Sequence, residues 1–354
     1  MPMPKSLPLS NGSEIPGIGL AIIIILFIEI NEMLPIILIR SGTWAAPKGE
    51  VENAVATALL EGYRHIDCAL IYKNEIEVAE GIRRSGIPRK DIFITSKLWN
   101  AFHSNIAESL RRSLENLGVD YLDLYLVHWP VRLISVFSQT QPPSLRHLNN
   151  EFSELLPINP DGTRAVDRDW DVRRTWAQME DTLDSGKVKA IGVCNWSVPY
   201  LEELKKVWRH KPSVNQVELH PYLPQLDLVN WCKKEGILVE AYSPLGGPGA
   251  PLLADTDVAA ISEKHQVPPA NVLISYHIRR GIVPLVKSVS PKRLKTNLQV
   301  IGLDADDMKK LDQVHKQPGK HVRYQTPLWG SDLGFRDWYG YEANKSGPNI
   351  QHIQ

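Results

Sequence analysis

Gly62-Tyr63-Arg64-His65-Ile66-Asp67-Cys68-Ala69-Leu70-Ile71-Tyr72-Lys73-Asn74 decides how the rest of the chain is read. His65-Ile66-Asp67 has a short strand pattern that ends in a carboxylate. A loop carrying Tyr72 follows, and then a helix. The next apolar run, Ile92-Phe93-Ile94-Thr95-Ser96-Lys97, ends in a lysine, and the one after it, Leu122–His128, ends in a histidine. Three successive strands therefore finish in Asp67, Lys97 and His128, about 30 residues apart, the length of one strand-plus-helix unit. This predicts an α/β fold, a (β/α)8 TIM barrel, in which the C-terminal strand ends converge on the face that carries the chemistry. Neighbouring strands lie about 4.8 Å apart, so the three side chains and Tyr72 can share one pocket. An ammonium beside a phenol is expected to push it towards phenolate, which suits the phenol as a general acid for a carbonyl oxygen.

With their flanks, these residues resemble the aldo-keto reductases, (β/α)8 barrels that reduce aldehydes and ketones with NADPH. The matching stretches are Gly62–Asp67 with Tyr72, Ser96-Lys97-Leu98-Trp99-Asn100, and Leu126-Val127-His128-Trp129-Pro130. The resemblance covers roughly 42–320 and a short N-terminal piece. It implies a catalytic tetrad of Asp67, Tyr72, Lys97 and His128. Singly, these could be a rim carboxylate, a rim aromatic, a solvated strand end and a core histidine. Together, four residue types in family order are a far more specific pattern than a short motif. The implied mechanism has hydride delivered to the carbonyl carbon while Tyr72 protonates the oxygen, Lys97 paired with Asp67 lowers the phenol's pKa, and His128 orients the carbonyl. Substrate contacts are expected from Trp44, Tyr72, His128 and Trp129, with aromatic walls favouring apolar aldehydes; Trp99 is read as structural.

Composition agrees with a soluble enzyme. A chain of 354 residues suits one barrel domain over 1–354. Lys+Arg and Asp+Glu balance at 40 each, so no basic field recruits nucleic acid. Cys68, Cys194 and Cys232 lack metal-type spacing and read as reduced thiols, so a cytoplasmic location and no metal are expected. A monomer is expected, with a small carbonyl compound as its partner and no membrane association.

Residues 7–19 read as a hairpin turning at Asn11-Gly12, which in the family closes the barrel bottom. The family's first barrel strand reads Gly-Ile-Gly-Leu-Gly-Thr-Trp. Here it begins as Gly17-Ile18-Gly19-Leu20 and resumes as Gly42-Thr43-Trp44, with the isoleucine-rich Ala21–Ser41 between. That segment (21–41) reads as an insertion, an intron translated through a gene model or a retained-intron isoform. A membrane anchor is the rival reading, but the uninterrupted apolar run Ala21–Ile28 falls far short of the ~20 residues a span needs. Two candidates for the first strand result, Ile15–Leu20 and Ile36–Trp44. The second is favoured because it keeps Thr43 and Trp44 at the pocket.

Helices are expected over about 51–61, 74–85, 105–117, 172–185, 199–207, 226–235, 269–279 and 305–314, with another starting at Pro291 capped by Ser290. Strands are expected over 189–193, 213–218, 238–242 and 282–286. The long connection 130–169 has no clear period, and 132–147 fits the family so poorly that a second unspliced piece is entertained. The tail, 318–354, is rich in aromatics and is expected to shape the substrate pocket.

No Gly-rich fingerprint for a Rossmann domain follows a strand, so a dinucleotide must bind otherwise. Barrels often hold phosphate near the loops after strands 7 and 8. The stretch Val286-Lys287-Ser288-Val289-Ser290-Pro291-Lys292-Arg293 lies there, with cations, hydroxyls and a helix start, which suits NADPH/NADP+ over NADH. The resemblance implies that Lys287, Ser288 and Arg293 grip the 2′-phosphate, with Val289 and Ser290 beside them, and that Asn297 touches adenine. It implies that Asn195 and Gln216 bind the carboxamide, that Tyr242 stacks on the nicotinamide, and that Ser243, Leu245 and Gly246 fold over the pyrophosphate. Thr43, Trp44 and Asp67 complete the cofactor set. Two departures stand out: Cys194, where the family usually has serine, and Thr296, where many members have glutamate. The loop and tail look most like fungal glycerol- and glyceraldehyde-type reductases. The alternative is a non-catalytic or inactivated nucleotide-binding protein of the same fold.

Overall fold

In the computed structural model, the structure describes residues 6–22, 26–29, 40–43, 49–134, 155–159, 161 and 163–338, with 26–29 and 40–43 as backbone. Two short strands, β1 (Ser6–Pro8) and β2 (Glu14–Pro16), pair antiparallel around the Asn11-Gly12 turn, where Gly12 takes φ 84°. Asn11 Nδ2 donates to Lys189 O at 2.9 Å, and the hydroxyls of Ser10 and Ser213 meet at 3.1 Å. Lys189 and Ser213 precede barrel strands, so the expected hairpin closes the bottom of the barrel.

The barrel begins at β3 (Gly19–Ala21). A separate antiparallel ribbon follows, β4 (Leu26–Glu29) with β5 (Arg40–Thr43). The remaining staves are β6 (His65–Asp67), β7 (Phe93–Leu98), β8 (Leu124–Val127), β9 (Ile191–Cys194), β10 (Val214–Glu218), β11 (Leu238–Tyr242) and β12 (Val283–Val286). They run parallel in chain order, and β12 returns to pair with β3, closing an eight-stranded ring. The expected (β/α)8 barrel is present.

The favoured first strand, Ile36–Trp44, is corrected: Gly19–Ala21 takes that place. Leu285 and Val286 pair with Gly19 and Leu20 on one side, and Ile66 and Asp67 with Leu20 and Ala21 on the other. Two physical reasons favour the earlier segment. It follows the hairpin directly, so little chain entropy is lost in closing the ring. It also places Gly19 where space is shortest, since a Cβ there would lie 2.4 Å from Leu285 Cδ2 and 2.8 Å from His65 Nδ1. Thr43 consequently lies on the ribbon, outside the barrel wall. Trp44, most of 21–41, residues 135–147 of the second doubtful piece, and 339–354 of the tail lie outside the described residues.

The helices are α1 (Glu50–Glu61), α2 (Glu75–Ser85), α3 (Ile106–Leu117), α4 (Val172–Asp184), α5 (Val198–Lys205), α6 (Leu226–Glu235), α7 (Thr256–His265), α8 (Pro269–Arg279), α9 (Pro291–Asn297) and α10 (Ala305–Gln313), all but α7 close to the expected bounds. In α3, the Asn105 side chain caps the Glu108 N–H and Gly118 ends the helix at φ 60°. Ile106, Leu110, Leu114 and Leu117 are buried on its inner face, each stabilising by about 1.5–3 kcal/mol. The strands alternate, outward side chains packing under helices and inward ones filling the barrel. The lower interior is apolar, with Ile15, Phe93, Val214 and Leu285. Above it His65, Asp67, Thr95, Lys97, Gln216 and Glu240 are buried in the barrel, a polar layer that supports the C-terminal mouth.

Candidate active site

Asp67 ends β6, and Lys97 reaches it from β7. Lys97 Nζ donates to both Asp67 oxygens at 2.7 and 2.8 Å and to Cys68 O at 3.0 Å. The ammonium is fully buried. Burial acts against its charge, but Asp67 and the Tyr72 phenol more than offset that, so its pKa lies above the ordinary lysine value. Such a pair holds only with nearly complete hydrogen bonding.

Tyr72 is carried by a single 3-10 turn, Leu70–Tyr72, which leaves β6 and ends at Lys73 in the left-handed region. That turn sets the Tyr72 ring 5.2 Å from Lys97 Nζ. Burial raises the phenol's pKa; the Lys97 charge and its hydrogen bond pull it down without overcoming burial. The expected pull of the ammonium is present, but desolvation of the anion outweighs it, so the phenol stays protonated, as a general acid must.

His128 follows β8, and its backbone N–H donates to Leu98 O at 3.1 Å. Its ring stands edge-on to Tyr72 at 5.8 Å and edge-on to Trp99 at 5.2 Å. Burial and the nearby Lys97 hold its pKa well below the usual value, so it is a neutral imidazole. The four expected tetrad residues thus gather at one mouth.

Asn195, Gln216 and Tyr242 sit at adjoining strand ends. Asn195 takes φ 64°, which asparagine tolerates better than most residues. Its Nδ2 donates to His128 O at 3.0 Å, and its Oδ1 accepts from the Tyr242 hydroxyl at 2.8 Å. Asn195 Nδ2 also lies 3.2 Å from Cys194 Sγ, and the thiol is 3.8 Å from Gln216 Oε1. Burial pushes the Cys194 pKa up, so it remains a thiol. Ser243 has φ 52° and Gly246 φ 90°, which turn the loop holding Leu245 over the same rim.

Beyond β12 the rim carries Lys287, Ser288, Val289 and Ser290, then α9. Ser290 caps the Arg293 N–H, and Arg293 Nε donates to Ser288 Oγ at 3.3 Å. Lys287, Lys292 and Arg293 are exposed and, among the described residues, lack acidic partners. Asn297 is buried one turn on. A cluster of unpaired cations and hydroxyls on the tetrad's own rim suits a polyanion such as a phosphorylated dinucleotide.

The opposite wall is aromatic. Trp129 meets Trp329 at 5.6 Å and Trp338 at 5.8 Å, and Trp99 meets Trp329 at 6.2 Å. The tail that supplies two of these rings is pinned by buried charges. Glu218 accepts from the backbone N–H groups of Tyr324 and Gln325 at 2.7 and 2.8 Å and contacts His220 Nε2 at 3.0 Å. Arg323 donates to Asp337 at 2.9 Å and to Gln225 at 3.1 Å, over the Phe335 ring. Trp99, read as structural, packs against both His128 and Trp329. Trp329, Trp338, Glu218, Arg323 and the interior Glu240 were missed as individual site residues in sequence. Aromatic spacing in the tail was the one signal for the tryptophans.

The sequence pattern of the Aldo/keto reductase family matches residues 38–316, beginning after the strand that closes the barrel. Glycerol 2-dehydrogenase (NADP(+)) of Saccharomyces cerevisiae is 42% identical over 328 residues, covering 92% of this chain and 95% of its own. D-galacturonate reductase of Hypocrea jecorina is 41% identical over 338 residues, covering 94% and 98%. The solved aldose reductase of Schistosoma japonicum superposes with a TM-score of 0.75 at 33% identity, covering 96% of this chain and 98% of that one.

Proposed function

The chain belongs to the aldo/keto reductase family, and from that premise we infer that it reduces small aldehydes and ketones to alcohols with NADPH. We further propose Asp67, Tyr72, Lys97 and His128 as the residues that carry the reaction. The observation that supports them best is the bidentate Lys97–Asp67 pair beside Tyr72, with the neutral His128 ring 5.8 Å from the phenol.

When bound, the nicotinamide supplies hydride to the carbonyl carbon. The protein does the rest. His128, neutral and fixed through its backbone by Leu98 and Asn195, offers an uncharged N–H to the carbonyl oxygen. Tyr72, kept protonated, donates its proton as negative charge grows on that oxygen. Lys97 favours the resulting phenolate, and Asp67 keeps the ammonium charged and in place. Gln216 and Asn195 would take the carboxamide, and the Tyr242 ring would lie against the nicotinamide. Lys287, Ser288, Val289, Ser290, Arg293 and Asn297 would hold the adenosine end, with Ser243 and Leu245 over the pyrophosphate. The Cys194 thiol is a weaker donor than serine and would loosen this grip.

Trp99, Trp129, Trp329 and Trp338 would enclose the substrate's carbon skeleton, with Tyr72 and His128 at its oxygen. We propose glyceraldehyde- or glycerol-type substrates; the name of the yeast relative, a glycerol 2-dehydrogenase, supports the glycerol type. The tail from 318 would serve as the substrate wall of one domain spanning 1–354. Among the described residues no helix is long and apolar enough to cross a membrane, and the three cysteines are free and buried; we place the protein in the cytoplasm as a monomer. Position 43 on a ribbon outside the barrel favours a second reading, an inactivated nucleotide binder. NADPH absorbance followed with glyceraldehyde separates the two. The wild type turns over, and Tyr72→Phe loses reduction while still quenching on NADPH; near-wild-type turnover in that variant overturns the assignment.

A further inference from the structure

Beneath the Asp67–Lys97 pair lies a second carboxyl group that the reaction above does not use. Glu240 sits in the middle of β11, fully buried inside the barrel. Its Oε2 accepts from Gln216 Nε2 at 2.8 Å, and the same nitrogen donates to Asp67 Oδ1 at 3.0 Å. One amide therefore bridges two carboxyl groups. The ammonium facing them, Lys97, is bound bidentately to Asp67. Glu240 Oε1 has no hydrogen-bond partner among the described residues. His65 Nε2 lies 3.9 Å from it but contacts Thr95 Oγ1 at 2.9 Å. Burial and Lys97 push the His65 pKa down to about 3, so it offers no charge.

The titratable groups facing Glu240 are thus His65 and Asp67 from β6, Lys97 from β7 and Cys194 from β9. From β12, its register partners Val283 and Pro284 are apolar. An ionised carboxylate here would be dry, without a counter-ion of its own and with one oxygen unbonded.

We propose that Glu240 is a positioning residue of this active site, carrying a proton beneath Asp67 so that the Lys97 charge acts undivided on Asp67 and Tyr72. Gln216 couples the two levels. Both hydrogens of its Nε2 point to carboxyl oxygens, which turns its Oε1 towards Cys194 and the cofactor side. Burial and Asp67 raise the Glu240 pKa to about 8. Above that pH a second negative charge appears under the pair, the phenol becomes a weaker acid, and reduction slows. This rests on the reading of Tyr72 as the acid.

The test compares wild type with Glu240→Gln, which keeps the shape and the acceptor for Gln216 but cannot ionise. Wild-type kcat is expected to fall about threefold for each pKa unit added to the phenol, with an inflection near pH 8 that the variant lacks. Superimposable profiles overturn the proposal. The wild-type-minus-variant infrared spectrum, taken without cofactor, should show the carbonyl band of a protonated carboxyl at neutral pH that disappears as pH rises; its absence also overturns it. If Glu240→Gln does not fold, Glu240→Leu serves in both measurements. Should Tyr72→Phe keep its activity, the assignment of Tyr72 fails while the infrared band still stands, so the two failures are distinguishable.

Discussion

Asp67→Asn deprives a fully buried ammonium of its counter-ion. It removes the charge from two hydrogen bonds of 2.7 and 2.8 Å, and the new amide must turn its N–H2 towards Lys97 Nζ or Gln216 Nε2, donor against donor. Breaking one side of a buried pair costs about 3–5 kcal/mol. At about 2 °C per kcal/mol for a chain of this size, Tm should drop by roughly 6–10 °C. Removing both charges together has the opposite logic: Asp67→Asn with Lys97→Met should regain most of that loss, because neither desolvated charge is left alone. Both variants should lose reductase activity: the double variant has no ammonium beside Tyr72, and the single variant has lost the carboxylate that holds Lys97 charged and in place. Thermal unfolding followed by circular dichroism gives the stabilities, and NADPH oxidation with glyceraldehyde gives the activity. A single variant melting within about 1 °C of wild type, or a double variant melting below the single, refutes the reasoning.

Gly19→Ala forces a methyl to 2.4 Å from Leu285 Cδ2 and should destabilise by about 1–3 kcal/mol; an unchanged urea midpoint would show that β3 does not close the ring. Lys287→Ala combined with Arg293→Ala should weaken NADPH by about 10–100-fold, the value of lost charge-assisted bonds, and leave NADH little changed; fluorescence titration that finds both weakened alike removes the phosphate assignment. Glu240 predicts a pH slope in stability. Its pKa is about 8 in the fold, above the ordinary 4.5, so the fold binds its proton more tightly than the unfolded chain does. The stabilisation is complete below about pH 4.5 and fades as pH rises through 8, by up to about 5 kcal/mol. Urea midpoints from pH 5 to 9 should fall less steeply in Glu240→Gln, and equal slopes would contradict a protonated Glu240.

Asp67, Lys97 and His128 were legible because each ends an apolar run and the runs recur at the length of one strand and helix. Tyr72 has no periodicity of its own: it was legible only as the phenol in the loop after Asp67, and its place in the tetrad came from the family resemblance. The net direction of its pKa could not be read: the ammonium is visible in sequence, but the desolvation that outweighs it is a property of the closed barrel. Glu240 was hidden for a related reason. Alternation in Leu238-Val239-Glu240-Ala241-Tyr242 shows that Glu240 shares a face with Leu238 and Tyr242, but not that this face is the dry inside of a ring. The misplaced first strand arose because the later segment keeps Thr43 and Trp44 at the pocket, whereas the short closure after the hairpin and the space beside His65 and Leu285 show only in the folded ring. Glu218 and Arg323 lie about 100 residues apart, and nothing local marks them as the two fastenings of one tail.

The stave that begins the barrel is held by short ties on both sides. Gly19–Ala21 holds to each neighbour through two residue pairs, as β9 holds to β10 and β11 to β12, whereas β10 and β11 share five. A hoop gives at its thin joints, and one of these runs alongside Asp67, the group that most needs to stay dry. Brief parting of β3 from β6 would admit water to the carboxylate. Amide exchange at Ile66 and Asp67 should therefore outpace exchange at Gln216 and Val217, and heat should silence the enzyme before it unravels the chain.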